Sequence, residues 1–155
     1  MIKRIFTLAV SLLTTTVQAQ SLGYLDAETQ MGAVSMLVVT TRTARFVEEK
    51  CKSLFPEKSE AIDTDFAKWK TAESRGLQKA EALWPSIVER EPDVEQLAAY
   101  AVDTVKKQFE SMQSIPNGRG VVILDEVCSK YFVQLASGIW RKRTPKAYEF
   151  IDQLP

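Results

Sequence analysis

Apolar side chains recur at helical spacing along most of the chain, and prolines and turn residues separate four such stretches. Within each stretch the apolar positions are three, four or seven residues apart, which places them on one face of an α-helix. The stretches cover about residues 26–54, 59–84, 92–112 and 120–137. Because the connections are short, neighbouring helices are expected to be antiparallel. The pattern predicts an all-α fold, a single small bundle of about four helices.

Local signals mark the ends of these helices. Pro56 follows the first helix as a stop, and Ser59 is a favourable N-cap for the second. Pro92 suits the first turn of the third helix, and Gly138 suits the C-terminal end of the fourth. Pro85 either kinks the second helix or opens a short new turn after it.

The stretch Val121–Leu124 is ambiguous, because four consecutive apolar residues also suit a short strand. Helical spacing continues from Leu124 through Cys128 and Leu135, so a helix over residues 120–137 is the preferred interpretation. A short amphipathic tail over residues 146–153 follows. The larger aromatic side chains fall on the same faces as the aliphatic ones and are predicted to be core residues: Phe66, Trp69, Trp84 and Phe109.

The N-terminus has the pattern of a cleavable export signal. Lys3 and Arg4 precede an apolar run over residues 5–13, and small residues lead up to Ala19. The alternative is a membrane anchor, but the run is shorter than the roughly 20 residues needed to span a bilayer. We expect a signal peptide over residues 1–19, a single mature domain over residues 20–155, and a periplasmic or secreted location.

The chain has two cysteines, Cys51 and Cys128, and both lie in the mature part. In an oxidising compartment an even number of cysteines favours a disulfide, whereas two separate buried thiols are the alternative. The spacing is not Cys-x-x-Cys, which argues against thiol–disulfide exchange chemistry. We predict one structural disulfide between Cys51 and Cys128.

Charge and composition exclude several classes of function. Removing Lys3 and Arg4 from the 20 basic residues leaves 18 against 20 acidic residues, a formal charge of −2. A protein that binds nucleic acids or anionic membranes usually carries a surplus of positive charge. Neither is therefore expected as a partner of this acidic chain. The chain has no histidine, which excludes Ser-His-Asp and Cys-His catalysis and histidine-ligated metal or haem sites.

Acidic residues offer only weak candidates for chemistry. Asp63 and Asp65 resemble the start of a calcium loop, but Lys68 stands where the turn glycine belongs. Glu89 and Glu91 lie close to Asp93, near the start of the third helix. A carboxylate pair can hydrolyse glycosides, although carboxylates at a helix start are also explained by the helix dipole.

The clearest local charge feature is the run Trp140, Arg141, Lys142 and Arg143, with Lys146 nearby. Cations beside an indole suit an acidic partner protein, an anionic lipid headgroup or a cell-wall polymer, whereas a solvated helix end is the alternative. We take these five residues as candidate partner contacts, and residues 89–93 as a second candidate edge.

These observations favour an exported, non-catalytic protein that binds another macromolecule, such as an inhibitor, an immunity protein or an envelope accessory protein. The expected partner is another envelope protein or a cell-wall component, and no cofactor, metal or catalytic residue is expected. The alternative is a carrier of small molecules or lipids with a cavity between helices, lined by aromatics such as Trp69 and Phe109.

Overall fold

The computed structural model describes residues 29–155, and 87% of these residues are helical, with no strand among them. The predicted signal peptide, residues 1–19, and residues 20–28 of the predicted mature domain lie outside the described residues. The elements are, in chain order, α1 (Gln30–Leu54), a 3-10 helix (Pro56–Lys58), α2 (Ser59–Ala72), α3 (Ser74–Arg90), α4 (Asp93–Gln113), α5 (Arg119–Ala136), α6 (Ile139–Arg143) and α7 (Pro145–Asp152).

The all-α prediction is confirmed, but the described residues form seven α-helices where about four were expected. The first predicted helix is α1, which begins after Thr29. The hydroxyl oxygen of Thr29 accepts a hydrogen bond from the backbone N–H of Gly32 at 2.9 Å. This satisfies one of the free N–H groups of the first helical turn.

The second predicted helix is divided into α2 and α3 at Glu73. Of the two outcomes expected at Pro85, a new turn does not occur, because α3 runs through this residue to Arg90. Pro85 lies on the exposed face, where water can hydrate the carbonyl group that loses its hydrogen bond. At this interruption the side chain of Glu73 is buried and binds Arg141.

The ambiguous stretch after residue 120 is helical, since α5 runs from Arg119 to Ala136. Gly138 then adopts a left-handed conformation with φ of 71°, so the predicted C-terminal glycine signal is confirmed. The basic run does not trail from the end of α5. It forms most of a separate five-residue helix, α6, and Pro145 begins α7.

The core consists of two clusters joined along α1. The disulfide cluster contains Ala44, Val47, Cys51, Phe55, Ile62, Phe66, Trp69, Val105, Phe109, Leu124, Val127, Cys128, Phe132 and Leu135. The α7 cluster contains Ala33, Val34, Leu37, Val39, Ala80, Trp84, Ile87, Val94, Ala98, Ala147, Tyr148, Ile151 and Leu154. The four aromatics predicted for the core are all buried. Leu77 and Trp140 pack against both clusters.

A disulfide joins Cys51 of α1 to Cys128 of α5, as predicted from the sequence. The two Cα atoms are 5.5 Å apart, within the usual range for a disulfide. Both residues are buried inside the disulfide cluster. The bridge therefore fixes the C-terminal end of α1 against α5.

Helix α7 packs against α1 and α3 and covers the opposite end of the core. Gly76 of α3 allows a close approach here, because a Cβ at this position would lie 2.6 Å from Cγ2 of Ile151. Lys79 donates a hydrogen bond to the carbonyl oxygen of Leu154, which is itself buried. These contacts hold the last residues of the chain against the bundle.

Candidate functional site

An apolar cleft of about 80 Å³ opens between α1, α4, α5 and α6. We call it the seam cleft, because it lies where the two core clusters meet. Val39 from the α7 cluster and Val47 from the disulfide cluster both line it, as does Trp140, which contacts both. Its other lining residues are Thr40, Thr43, Val105, Phe109, Glu126, Val127, Lys130, Tyr131, Gln134, Leu135, Ile139 and Arg143.

Burial separates the inner wall of the seam cleft from its rim. The inner wall is almost entirely apolar, and Phe109 and Leu135 are at most 2% exposed. The rim is polar and contains Glu126, Lys130 and Arg143. Lys130 pairs with Glu126 one helical turn away, whereas Arg143 is exposed at the end of α6. The arrangement suits an apolar group that enters past a charged rim.

Tyr131 contributes no charge to the seam cleft at neutral pH. Burial raises the pKa of its phenol well above the ordinary value of about 10. The hydroxyl group therefore remains protonated and neutral across the physiological range.

In the structure, the five residues predicted as basic partner contacts do not all face the same way. Trp140 is half-buried and lines the seam cleft, together with the exposed Arg143. Lys142 and Lys146 are also exposed. Two of the five predicted contact residues therefore meet at the cleft.

Arg141 turns inward and binds the buried carboxylate of Glu73. Its Nε and Nη2 atoms donate to the two oxygens of Glu73 at 2.9 and 2.8 Å, and Asp152 accepts two further hydrogen bonds. The guanidinium carbon also lies 4.4 Å from the ring centre of Tyr148. The hydrogen bonds that Arg141 donates to Glu73, and then those to Asp152, raise the pKa of Arg141 further above its ordinary value. This side chain joins the α2–α3 break to α6 and α7.

A larger open groove of about 580 Å³ lies between α1 and α3, and we call it the α1–α3 groove. Its apolar floor includes Leu37, Leu77 and Trp84, and its cationic side chains include Arg45 and Lys70. Trp69, which was expected to line a cavity, is instead 2% exposed within the disulfide cluster and lines neither this groove nor the seam cleft.

Glu95 organises one end of the α1–α3 groove. Its carboxylate accepts two hydrogen bonds from Arg42, at 2.6 and 3.1 Å, and a third from the indole N–H of Trp84 at 2.7 Å. The Arg42 guanidinium also lies 5.5 Å from the ring centre of Trp84. Arg42 and, to a smaller extent, Trp84 lower the pKa of Glu95 below its ordinary value.

The remaining candidates occupy exposed positions. Glu89, Glu91 and Asp93 lie at the surface around the connection between α3 and α4. Asp63 pairs with Lys52 of α1 at 2.6 Å, an interaction that holds α2 against α1. Among residues 29–155 there is no cluster of three acidic, histidine or cysteine side chains that would hold a metal ion. In the same range, no helix combines the length and apolar character needed to cross a membrane.

Sequence reasoning overlooked Glu73 and most of the seam cleft. One signal was present for Glu73, because Trp69, Glu73 and Leu77 follow one another at four-residue spacing on a stripe of apolar residues. A carboxylate at such a position requires a cationic partner. The cleft has no comparable local signal, since it depends on how four helices pack.

In comparisons with protein-family models, curated protein sequences and solved structures, nothing matches this chain.

Proposed function

We propose that this chain is an exported, non-catalytic protein that binds another macromolecule, an envelope protein or cell-wall component, through the seam cleft and the basic residues beside it. The size of the cleft is the observation on which the proposal depends. Sites for drug-sized molecules usually enclose about 300–1,000 Å³. A cleft of about 80 Å³ is suited to one side chain of a larger partner.

The surroundings of the cleft also favour a macromolecular partner. Protein interfaces commonly place one anchor residue in an apolar pocket and surround it with polar contacts that exclude water. Here, Lys130 and Arg143 line the rim, and Lys142 is exposed next to Arg143. The chain has no histidine, which removes the usual general base near neutral pH and supports a role without catalysis.

The disulfide supports export. Disulfides form and persist in oxidising compartments and are rare in the cytosol. Mass spectrometry of the protein from its native cells tests this part of the proposal. We expect a chain that begins at Gln20 and carries an oxidised cysteine pair. A full-length cytosolic chain with two free thiols would contradict it.

Affinity capture from an envelope extract tests partner binding. The bait is the mature chain, compared with K142E/R143E and with a matched charge-reversal control at exposed residues of α2 and α3, K68E/R75E. We expect one protein or wall fragment to be retained by the wild type and the control and lost with K142E/R143E. The purified partner should then bind the wild type and K68E/R75E with similar affinity, and K142E/R143E more weakly. Equal retention by all three baits would refute the assigned surface.

A second candidate function, a small-molecule or lipid carrier, is favoured by the α1–α3 groove. Its volume of about 580 Å³ falls within the range of known ligand sites, and its floor includes Leu77 and Trp84. Thermal unfolding in the presence of lipids, haem and quinones tests this function, because a ligand that binds only the folded state raises its stability. A rise in Tm that Trp84→Ala abolishes, while the variant still folds, would favour the carrier.

A further inference from the structure

We infer that the seam cleft receives a single leucine-sized side chain from an acidic segment of a partner protein. This inference rests on the proposed function and specifies its partner. It assigns both an anchor residue and the charge that flanks it.

The volume of the cleft sets the size of the anchor. An apolar cavity of about 150 Å³ in another protein holds a benzene molecule. The seam cleft has about half that space, 80 Å³, and its inner wall includes Val47, Phe109 and Leu135, all at most 2% exposed. This space suits the branched end of an aliphatic side chain, whereas a phenol or an indole, each larger than benzene, does not fit.

The charges beside the cleft set the composition of the flanking residues. Lys142 and Arg143 are exposed at the end of α6, and Arg143 lines the rim directly. Lys130, also on the rim, already pairs with Glu126. The cleft therefore presents a positively charged edge to its partner. Carboxylates on either side of the partner's anchor residue would complement this charge.

An exposed valine extends the apolar surface beyond the cleft. Val133 has 54% of its surface exposed and lies three residues, about one helical turn, after the rim residue Lys130 in α5. A partner segment whose leucine enters the cleft would also cover Val133. Excluding water around an anchor in this way is what makes such anchors effective.

A second copy of this chain is a poorer fit than a different protein. A symmetric pair would place this patch against itself and bring Lys142 and Arg143 close to their own equivalents. Like charges that face each other across an interface oppose association. The surface therefore favours an acidic partner of different sequence.

The test uses the blocked tripeptide Asp-Leu-Asp as the probe, with the mature chain labelled for NMR. The three indole N–H signals report on different places, because Trp140 lines the seam cleft, Trp84 lines the α1–α3 groove and Trp69 is buried. We expect the probe to shift the Trp140 signal saturably and to leave the other two unchanged. The tripeptides Lys-Leu-Lys, Asp-Ala-Asp and Asp-Trp-Asp should bind at least tenfold more weakly.

Variants locate the binding site independently. Thr40→Phe fills the cleft from the half-buried face of α1, and Gln134→Phe fills it from α5 if the first variant does not fold. Either folded variant should lose the Trp140 shift. K142E/R143E should reverse the preference and bind Lys-Leu-Lys more tightly than Asp-Leu-Asp, whereas K68E/R75E should behave as the wild type.

Several results would overturn the inference. These are no saturable shift, a shift at Trp84 instead, equal affinity for the leucine and alanine probes, or self-association that Thr40→Phe abolishes. Tighter probe binding by a chain that begins at residue 29 would show that residues 20–28 occupy the cleft, and would overturn the inference as well. If the tripeptides fail while affinity capture still depends on Lys142 and Arg143, the proposed function stands and only the anchor is wrong.

Discussion

Glu73 carries a carboxylate that is 3% exposed, and Arg141 satisfies both of its oxygens. Burying a carboxylate is costly unless it is paired and hydrogen-bonded. The cost is unequal between the partners, because Arg141 keeps contact with water and with Asp152, whereas Glu73 has neither. Removing the arginine is therefore more damaging than removing both charges together.

Replacing Arg141 with Met is expected to lower the free energy of unfolding by about 2–3 kcal/mol, somewhat below the loss for a fully buried pair because the arginine is partly exposed. The double variant E73L/R141M should recover most of that loss, since no charge remains buried. Urea unfolding measures both values. The neighbouring Lys142→Met should change the free energy by less than about 0.5 kcal/mol. Additive losses in the double variant would contradict the pairing.

Glu95 predicts a specific dependence of stability on pH. Arg42 and Trp84 hold its pKa below the ordinary value of 4.5, so the unfolded chain takes up this proton at a higher pH than the folded chain. Its stabilising effect is therefore complete above that ordinary value and is lost as the pH falls through the lowered pKa. The difference in unfolding free energy between wild type and Glu95→Gln should be larger at about pH 6 than at about pH 3.

The indole proton of Trp84 reports directly on this carboxylate, since it donates to Glu95 at 2.7 Å. Its NMR signal should titrate with a midpoint below 4.5. Arg42→Met should raise that midpoint, because Arg42 is the largest cause of the shift. A midpoint that does not move in the variant would show that the ion pair does not control the pKa of Glu95.

At the scale of elements, the contact between α3 and α7 depends on Gly76 having no side chain. Gly76→Ala improves helix propensity by about 1 kcal/mol, but its new Cβ would lie 2.6 Å from Cγ2 of Ile151. Overpacking costs about 1–3 kcal/mol, so we expect a net loss of roughly 1 kcal/mol in urea unfolding.

Ile151→Leu provides the matched test of this contact, because leucine has no methyl group at the Cγ2 position. G76A/I151L should be more stable than the sum of its single variants predicts. Gln78→Ala, on the exposed side of α3, is the control and should change stability by less than about 0.5 kcal/mol. If the effects of the two single variants simply add in G76A/I151L, the loss of stability in Gly76→Ala does not come from its contact with Ile151.

The boundaries of the elements show what sequence patterns can and cannot predict. The helical faces of α1, α4 and α5 and the left-handed Gly138 follow from signals within a few residues. The pairing of Glu73 does not, because its partner is Arg141, 68 residues later in the chain. Gly138 and Pro145 bound α6 locally, whereas the inward contacts of Trp140 and Arg141 depend on distant parts of the chain.

At the scale of the whole molecule, the disulfide closes most of the described chain into one loop. Cys51 and Cys128 are 77 positions apart, and such a bridge contributes on the order of 4 kcal/mol through the unfolded state. We expect reductant, or C51A/C128A, to lower the urea midpoint correspondingly. Reductant should not affect the alanine variant. An unchanged midpoint with both thiols shown to be free would refute this contribution.

The candidate site was predicted only in part, because the seam cleft depends on the packing of the whole molecule. Trp140 and Arg143 were recognised as candidates from local charge and an adjacent indole. The inner wall of the seam cleft is contributed by α1, α4 and α5 together. Which apolar residues face a cleft and which face the core depends on tertiary packing, and sequence spacing does not distinguish them.

Helix α1 contributes to both core clusters, with Leu37 in one and Val47 in the other. Neither end of the molecule has a hydrophobic interior that is complete without this helix. If α1 unfolded locally at one end, packing would also be lost at the other end. We therefore expect residues 30–54 to make the domain unfold as one cooperative unit. A partner bound in the seam cleft would contact α1 near its midpoint. Amide protection from hydrogen exchange should then increase toward both ends of the domain.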